Sequence, residues 1–182
     1  MYPNDVPEDK IQRRFPKVPI DRRAYAFGID FVTVWFLSSF AGVNWAVKLL
    51  VFLFCWLLLR VVVVDKNKGQ SLGRWALDMK VINLRFRRVP TLIDLAKREV
   101  IVGGCAGLAM LGLNAAFNNP LSFLILCSFL LVECGLAIGD EKYGQAFHDR
   151  VTGTVIIGTR RGFSLDIRMK QLWWTFKGRR KR

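Results

Sequence analysis

The sequence predicts an all-α membrane protein: four transmembrane helices in two hairpins, N-in and C-in, with short cytoplasmic strands and a C-terminal amphipathic helix at the membrane interface. Three observations lead there. Hydrophobic residues make up 52% of the chain, yet the formal net charge is +14; a soluble domain of this size does not combine the two unless they are segregated along the sequence. They are segregated: apolar runs, each about one bilayer long, alternate with basic stretches. The basic stretches also fall on one side. Of 28 Lys and Arg residues, six lie in 1–23, ten in 60–98 and eleven in 142–182, and the short turns between paired runs carry none. Cytoplasmic loops are enriched in Lys and Arg, so both termini and the middle loop belong inside.

Taken in order, residues 1–21 form a polar cytoplasmic arm, with Lys10, Arg13, Arg14 and Lys17 set among Pro3, Pro7, Pro16 and Pro19. Proline at that density reads as extended chain, and no secretory signal peptide is expected there. The membrane domain covers 22–158. Its first span, about 24–43, gives ~30 Å of helix. Gly42-Val43-Asn44 turns the chain into the second span, about 45–64, with Lys48 snorkelling at the outer end and Arg60 near the inner end. The β-branched residues Val61–Val64 read as already extended.

The cytoplasmic loop is 65–99. It opens with a turn at Asp65–Gly69. A short amphipathic helix is expected over Gln70–Met79, with Leu72, Trp75, Ala76 and Met79 on one face, followed by a strand over Lys80–Arg87. Thr91 starts the next helix, with Asp94 as its capping partner. The third span is about 100–117. Gly103 with Gly107, and Cys105 with Ala109, space small residues for close helix packing, within one protomer by default and across a dimer seam as the sharper alternative. Asn118-Asn119-Pro120 leads into the fourth span, 120–139, and Thr154–Thr159 reads as a strand. In the basic tail, 159–182, Leu165, Met169, Leu172, Trp173 and Phe176 share one face of a helix over Ser164–Lys177. That helix suits the headgroup level of an anionic inner leaflet, where each Lys or Arg is worth ~1 kcal/mol.

Ionisable groups inside a span cost roughly 2.5–3.5 kcal/mol at its centre and are functional candidates by default. Counting from the inner edge, Asp30 lies about 10 Å deep, Glu133 about 9 Å and Arg60 about 6 Å. Three helices thus bring Asp30, Glu133 and Arg60 to one layer, where Arg60 either locks the helices together or leaves one carboxylate free to exchange a proton for a cation. Arg23, two turns before Asp30, is placed to tune it. Cys55, Cys105, Cys127 and Cys134 all fall in the spans with no C-x-x-C pair, so no metal site is expected. His148 and Asp149 follow the last span. With no nucleophile–base set, no phosphate loop and no nucleic-acid recognition fold, the chain is not expected to be an enzyme, to hold a cofactor or to bind nucleic acid.

Four ordered motifs carry a resemblance. Arg23-x-x-Ala26-x-x-Ile29-Asp30 opens the first span, Gly69-Gln70-Ser71-Leu72-Gly73-Arg74 opens the loop with Met79-Lys80-Val81-Ile82 after it, Arg98 precedes the third span, and His148-Asp149-Arg150-x-Thr152-Gly153-Thr154-Val155-Ile156 follows the last. The chain resembles the RDD family of small integral membrane proteins, named for one arginine and two aspartates, over roughly Arg22 to Gly158. The resemblance implies Arg23, Asp30 and Asp149 as those three, and Gly69, Gly73 and Arg98 as motif residues. It departs at Arg87-Arg88-Val89-Pro90, where the family carries an acidic residue and glycine, and at Glu133, which is outside the family pattern. Phe15-Pro16-Lys17-Val18-Pro19 is similar to members from photosynthetic bacteria. The resemblance implies a multi-pass protein of a bacterial inner membrane or a thylakoid-type one. It implies either cation/proton-coupled transport as a homo-oligomer, with Asp149 gating the inner mouth, or a non-catalytic accessory role on a larger membrane complex such as a photosynthetic one.

Overall fold

A computed structural model describes residues 18–116, 119–140 and 143–159, together with 164, 165, 168 and 169. Of the amphipathic face expected in the tail, Leu165 and Met169 are exposed, while Leu172, Trp173 and Phe176 lie outside the described residues, as does most of the 1–21 arm.

The chain is mostly helical. Helix α1 spans Ile20–Ser39 and buries Ala26, Asp30, Val34 and Ser38, a stripe with a four-residue repeat. It begins at Ile20, directly after Pro19. Helix α2, Trp45–Lys66, starts where the Asn44 side chain accepts from the Ala46 and Val47 amides. One π-helical turn, Leu58–Val62, interrupts it. The extended backbone expected at Val61–Val64 is therefore corrected to helix: Val61 and Val64 pack with Val81 and Leu95, and burial against these partners overrides the β-branched preference.

The amphipathic helix expected over Gln70–Met79 is corrected to a single turn, α3, Leu72–Ala76. Ser71 caps it, accepting from the Arg74 amide, and Asp78 at φ 53° ends it. Its buried face is Gly73, Arg74 and Ala76, while Leu72 and Trp75 are exposed. The reason is steric: α3 lies so close to α1 that a Cβ at Gly73 would collide with the Ala26 carbonyl oxygen. Strand β1, Met79–Asn83, stops short of the expected Arg87. There the Asn83 side chain accepts from the Arg85 and Phe86 amides and turns the chain.

Helix α4, Leu92–Ala115, opens on Thr91, whose hydroxyl accepts from the Asp94 amide. Helix α5, Pro120–Gly139, opens on Asn119, whose side chain accepts from Ser122, with proline at the first position. Helix α6, Phe147–Thr152, and strand β2, Thr154–Gly158, follow. The two strands pair antiparallel with Val81 opposite Ile156, so the middle loop is zipped to the segment after α5.

The apolar core joins α1, α2 and α4 through Val34, Phe52, Trp56, Val102, Ala106 and Met110. Phe27 and Phe31 meet Trp56 and Phe52 edge to face at 5.6 and 5.7 Å. The small residues of α4 make room for α2: an added Cβ would come within 2.7 Å of Trp56 at Gly103 and 3.0 Å of Leu49 at Gly107. Helices α2 and α5 are each long and apolar enough to cross a membrane, and only 28% and 11% of their most apolar stretches are buried. A core helix of a soluble domain hides such a surface; these expose it, as a helix in lipid does. Helices α1 and α4 are as long but interrupt their apolar runs with Asp30 and with Arg98-Glu99.

Candidate functional site

The α3–β1–β2–α6 cap and the helix ends that meet it enclose a layer of buried charge. Asp30, Glu99 and Asp149 are fully buried, and Arg60, Arg74, Arg98, Glu133 and His148 are at most 5% exposed.

Asp30 is held from three directions. It accepts from Arg60 Nη1 at 2.8 Å, Ser71 Oγ at 2.6 Å and the Gly73 amide at 2.7 Å. Two of those donors belong to the Gly69–Arg74 motif, so the carboxylate ties α1 to the loop. The motif glycines serve the same approach. Gly73 admits the α1 backbone, and Gly69, at φ 88°, leaves no room for a Cβ, which would lie 2.5 Å from the Val81 carbonyl oxygen. Arg60 projects from the π turn, where an extra residue in the ring re-aims the side chain. Its guanidinium lies 4.9 Å from the centre of the Trp56 ring.

Glu99 is the hub. Arg60 Nε reaches it at 2.8 Å, and Arg74 Nη2 and Arg98 Nη1 at 3.3 Å each. Asp149 is the second junction, paired with Arg23 at 2.8 Å and Arg98 at 3.0 Å, and accepting from Thr154 Oγ1 at 3.0 Å. Burial alone would raise the Asp149 pKa, but Arg98, His148 and Arg23 outweigh it and hold the group well below the usual carboxylate range. Burial, together with the charges of Arg60 and Arg98, pushes Arg74 down from the ordinary arginine value; a guanidinium nevertheless keeps its proton at neutral pH. Arg74 Nη1 is buried and has no hydrogen-bond partner among the described residues. At the far end Glu133 pairs with the His148 ring and accepts from the His148 amide at 3.2 Å.

Against the sequence expectations, Asp30 and Arg60 do meet. Glu133 does not join Arg60; it takes His148, because α6 folds back beneath α5. Arg23 is not the neighbour of Asp30: it reaches Asp149 and the Gly144 carbonyl instead. Asp149 is not at an open mouth but fully buried between two arginines. Three participants escape sequence reasoning. Glu99 adjoins Arg98 and reads as the end of a charged loop; Arg74 reads as a motif terminus; Ser71 reads as an interior residue of the same motif. The available signal was the acidic residue at the lip of an apolar run, Arg98-Glu99-Val100. Among the described residues no group of His, Cys, Asp and Glu is placed to hold a metal ion.

A cavity of ≈ 340 Å³ adjoins this layer, between the cap-side halves of α1 and α5. Its walls are mainly apolar, with Phe27, Val102, Leu130 and Ile138 among them, and its polar lining is Arg23, Arg60, Arg74, Arg98 and His148.

Residues 17–153 match the family model described as the RDD family, a stretch that contains every member of the ionic layer from Arg23 to Asp149. No curated protein and no solved structure matches the chain.

Proposed function

The chain belongs to the RDD family, and from that premise we propose that it crosses a bacterial-type inner membrane four times and works without catalysis, as an accessory factor docked on a larger membrane complex. The four spans are α1, α2, α4 and α5, each 20 residues or longer. The segregation of Lys and Arg supports both termini and the 65–99 loop on the inner side. The charges that break α1 and α4 do not argue against spanning, since Asp30, Arg98 and Glu99 are paired inside the protein and away from lipid.

The observation that carries the accessory reading is the closure of the ionic layer. A carried cation needs carboxylate oxygens open to it. Those of Asp30 are taken by Arg60, Ser71 and Gly73, and those of Asp149 by Arg23, Arg98 and Thr154. Such a layer fixes the geometry of a scaffold. The outward faces then offer large apolar residues, Val32, Trp35 and Phe36 on α1 and Leu131 and Val132 on α5, to lipid or to a neighbouring protein. A photosynthetic complex in a thylakoid-type membrane fits the resemblance at residues 15–19.

A second reading, cation/proton-coupled transport by a homo-oligomer, is favoured by the Glu133–His148 pair, which stands apart from the Asp30 clamp and places His148 on the cavity wall. Native assembly in mild detergent separates the two. Recovery of a hetero-complex that depends on the apolar face of α1 is the expected result. Recovery of a homo-oligomer alone, with cation/proton exchange in proteoliposomes that Asp30→Asn or Glu133→Gln abolishes, would sink the accessory reading.

A further inference from the structure

We propose that α3 is an interfacial anchor: Leu72 and Trp75 sit in the boundary between headgroups and acyl chains of the inner leaflet, and the lipid there forms the outer wall of the Asp30 site. The proposal rests on the four-span reading above. The level of α3 is fixed by its bonds to α1. The Gly73 amide and Ser71 Oγ reach Asp30 at 2.7 and 2.6 Å, and the Leu77 carbonyl accepts from Arg22 Nη2 at 2.8 Å. From Arg22 to Asp30 is about 12 Å of helix. The turn therefore runs antiparallel along the side of α1, from the level of Asp30 back to that of Arg22, rather than beneath the end of the helix. The missing side chain at Gly73 lets the two backbones touch at Ala26.

What α3 turns away from the bundle is apolar. Gly73, Arg74 and Ala76 are buried, while Leu72 is 42% exposed and Trp75 46%. One exposed apolar residue needs no explanation; a leucine and a tryptophan on the outer face of a single turn, held alongside a spanning helix, do. Tyr25 of α1 lies between the same two levels and is exposed as well. With Arg22 at the membrane edge, this band is where tryptophan and tyrosine gather, their rings in apolar surroundings and their N–H and O–H groups within reach of water. Lys66 and Lys68, exposed on the approach to α3, outnumber Asp65 and supply the cationic side that an interfacial element sets toward anionic lipid. The placement bears on the ionic layer. Ser71 and Gly73, two of the three donors that hold Asp30, belong to the element that the lipid presses against α1.

Depth is measured on the full-length protein in bilayers of phosphatidylcholine and phosphatidylglycerol, by power saturation of nitroxide labels against oxygen and a nickel chelate. The background carries Cys55→Ala, Cys105→Ala, Cys127→Ala and Cys134→Ser, the serine keeping a donor to Glu133. Single labels are placed through Leu72→Cys and Trp75→Cys. Val32→Cys marks the α1 span, and Arg85→Cys, on the turn before α4, marks water; all four positions are exposed. The labels at Leu72 and Trp75 should lie ~5–10 Å below the phosphate level, shallower than the one at Val32, and the label at Arg85 should lie outside it. Labels at Leu72 and Trp75 as open to the chelate as the one at Arg85, with Val32 in lipid, overturn the anchor and leave the spans standing. Shielding of both from oxygen and chelate alike overturns lipid as the partner in favour of a second copy of the chain. A Val32 label open to the chelate overturns the spans and the anchor with them. A second readout needs no label. The tryptophan emission of wild type minus that of Trp75→Phe should be quenched more by lipid brominated near the headgroup than by lipid brominated near the chain ends or by aqueous iodide. Strongest quenching by iodide overturns the anchor.

Discussion

The half of the helix bundle beside the cap and the half away from it are held by different physics. Toward the cap, α1, α2 and α4 meet through directional contacts, with Asp30, Arg60 and Glu99 each making three or four bonds of defined geometry. Away from the cap the same helices meet through Val34, Phe52, Ala106, Gly107 and Met110, where shape alone decides. Packing contacts tolerate repacking; a buried ion pair does not tolerate the loss of one partner. The half beside the cap therefore specifies one arrangement, and the far half accepts small adjustments to whatever surrounds it.

The largest test of that contrast is Asp30→Ala. It strands Arg60, Ser71 Oγ and the Gly73 amide in a dry layer, and a loss of about 3–5 kcal/mol is expected by analogy with broken buried pairs. Unfolding of the purified protein in mixed micelles measures it; a loss under ~1 kcal/mol would mean the layer is not what orders the helices. The second test is acid. The pKa of Asp149 is lowered in the folded protein, so its contribution to stability is fully present above the unfolded value of about 3.9 and is lost as pH falls below it toward the folded value. The melting temperature of wild type should drop steeply below about pH 4, and Asp149→Asn should flatten that drop while lowering stability at pH 7. The smallest effect is expected at Gly107→Ala. The added Cβ meets only the flexible tip of Leu49, at 3.0 Å, and a change within about 1 kcal/mol of either sign is anticipated. A Gly107→Ala effect as large as that of Asp30→Ala would erase the distinction between the halves.

Much of the architecture was legible because local signals agreed with the tertiary outcome. Asn119 before Pro120 marked the start of α5, Asn44 that of α2, and Thr91 with Asp94 that of α4. Charge segregation set apart the apolar runs that became helices. Counting residues along the helices also brought Asp30 and Arg60 together, since both lie on long apolar helices that pack side by side. It did not give the partners of Glu133 and Arg23, because these, His148 and Asp149, sit on α6, a single short helix whose return to α5 no periodicity encodes. The inward face of α3 was misread for a similar reason: hydrophobic spacing pointed to Leu72 and Trp75, but the approach of α1 at Ala26 admits only the Gly73 side. Val61–Val64 show propensity losing to burial.

The pairing of β1 with β2 has a consequence for biogenesis. Strand β1 is complete at Asn83, but its partner register begins at Thr154. At a synthesis rate of ~5–20 residues per second, roughly 4–14 s pass before Thr154 exists. During that interval α4 and α5 are made while β1 waits as a lone edge, and Glu99 arrives before Asp149. Helices α1 and α2 can bring Arg60 to Asp30 early, but the cap can close only after α5 and α6 exist. Assembly of the charged layer is thus ordered in time, and the sheet acts as its last latch.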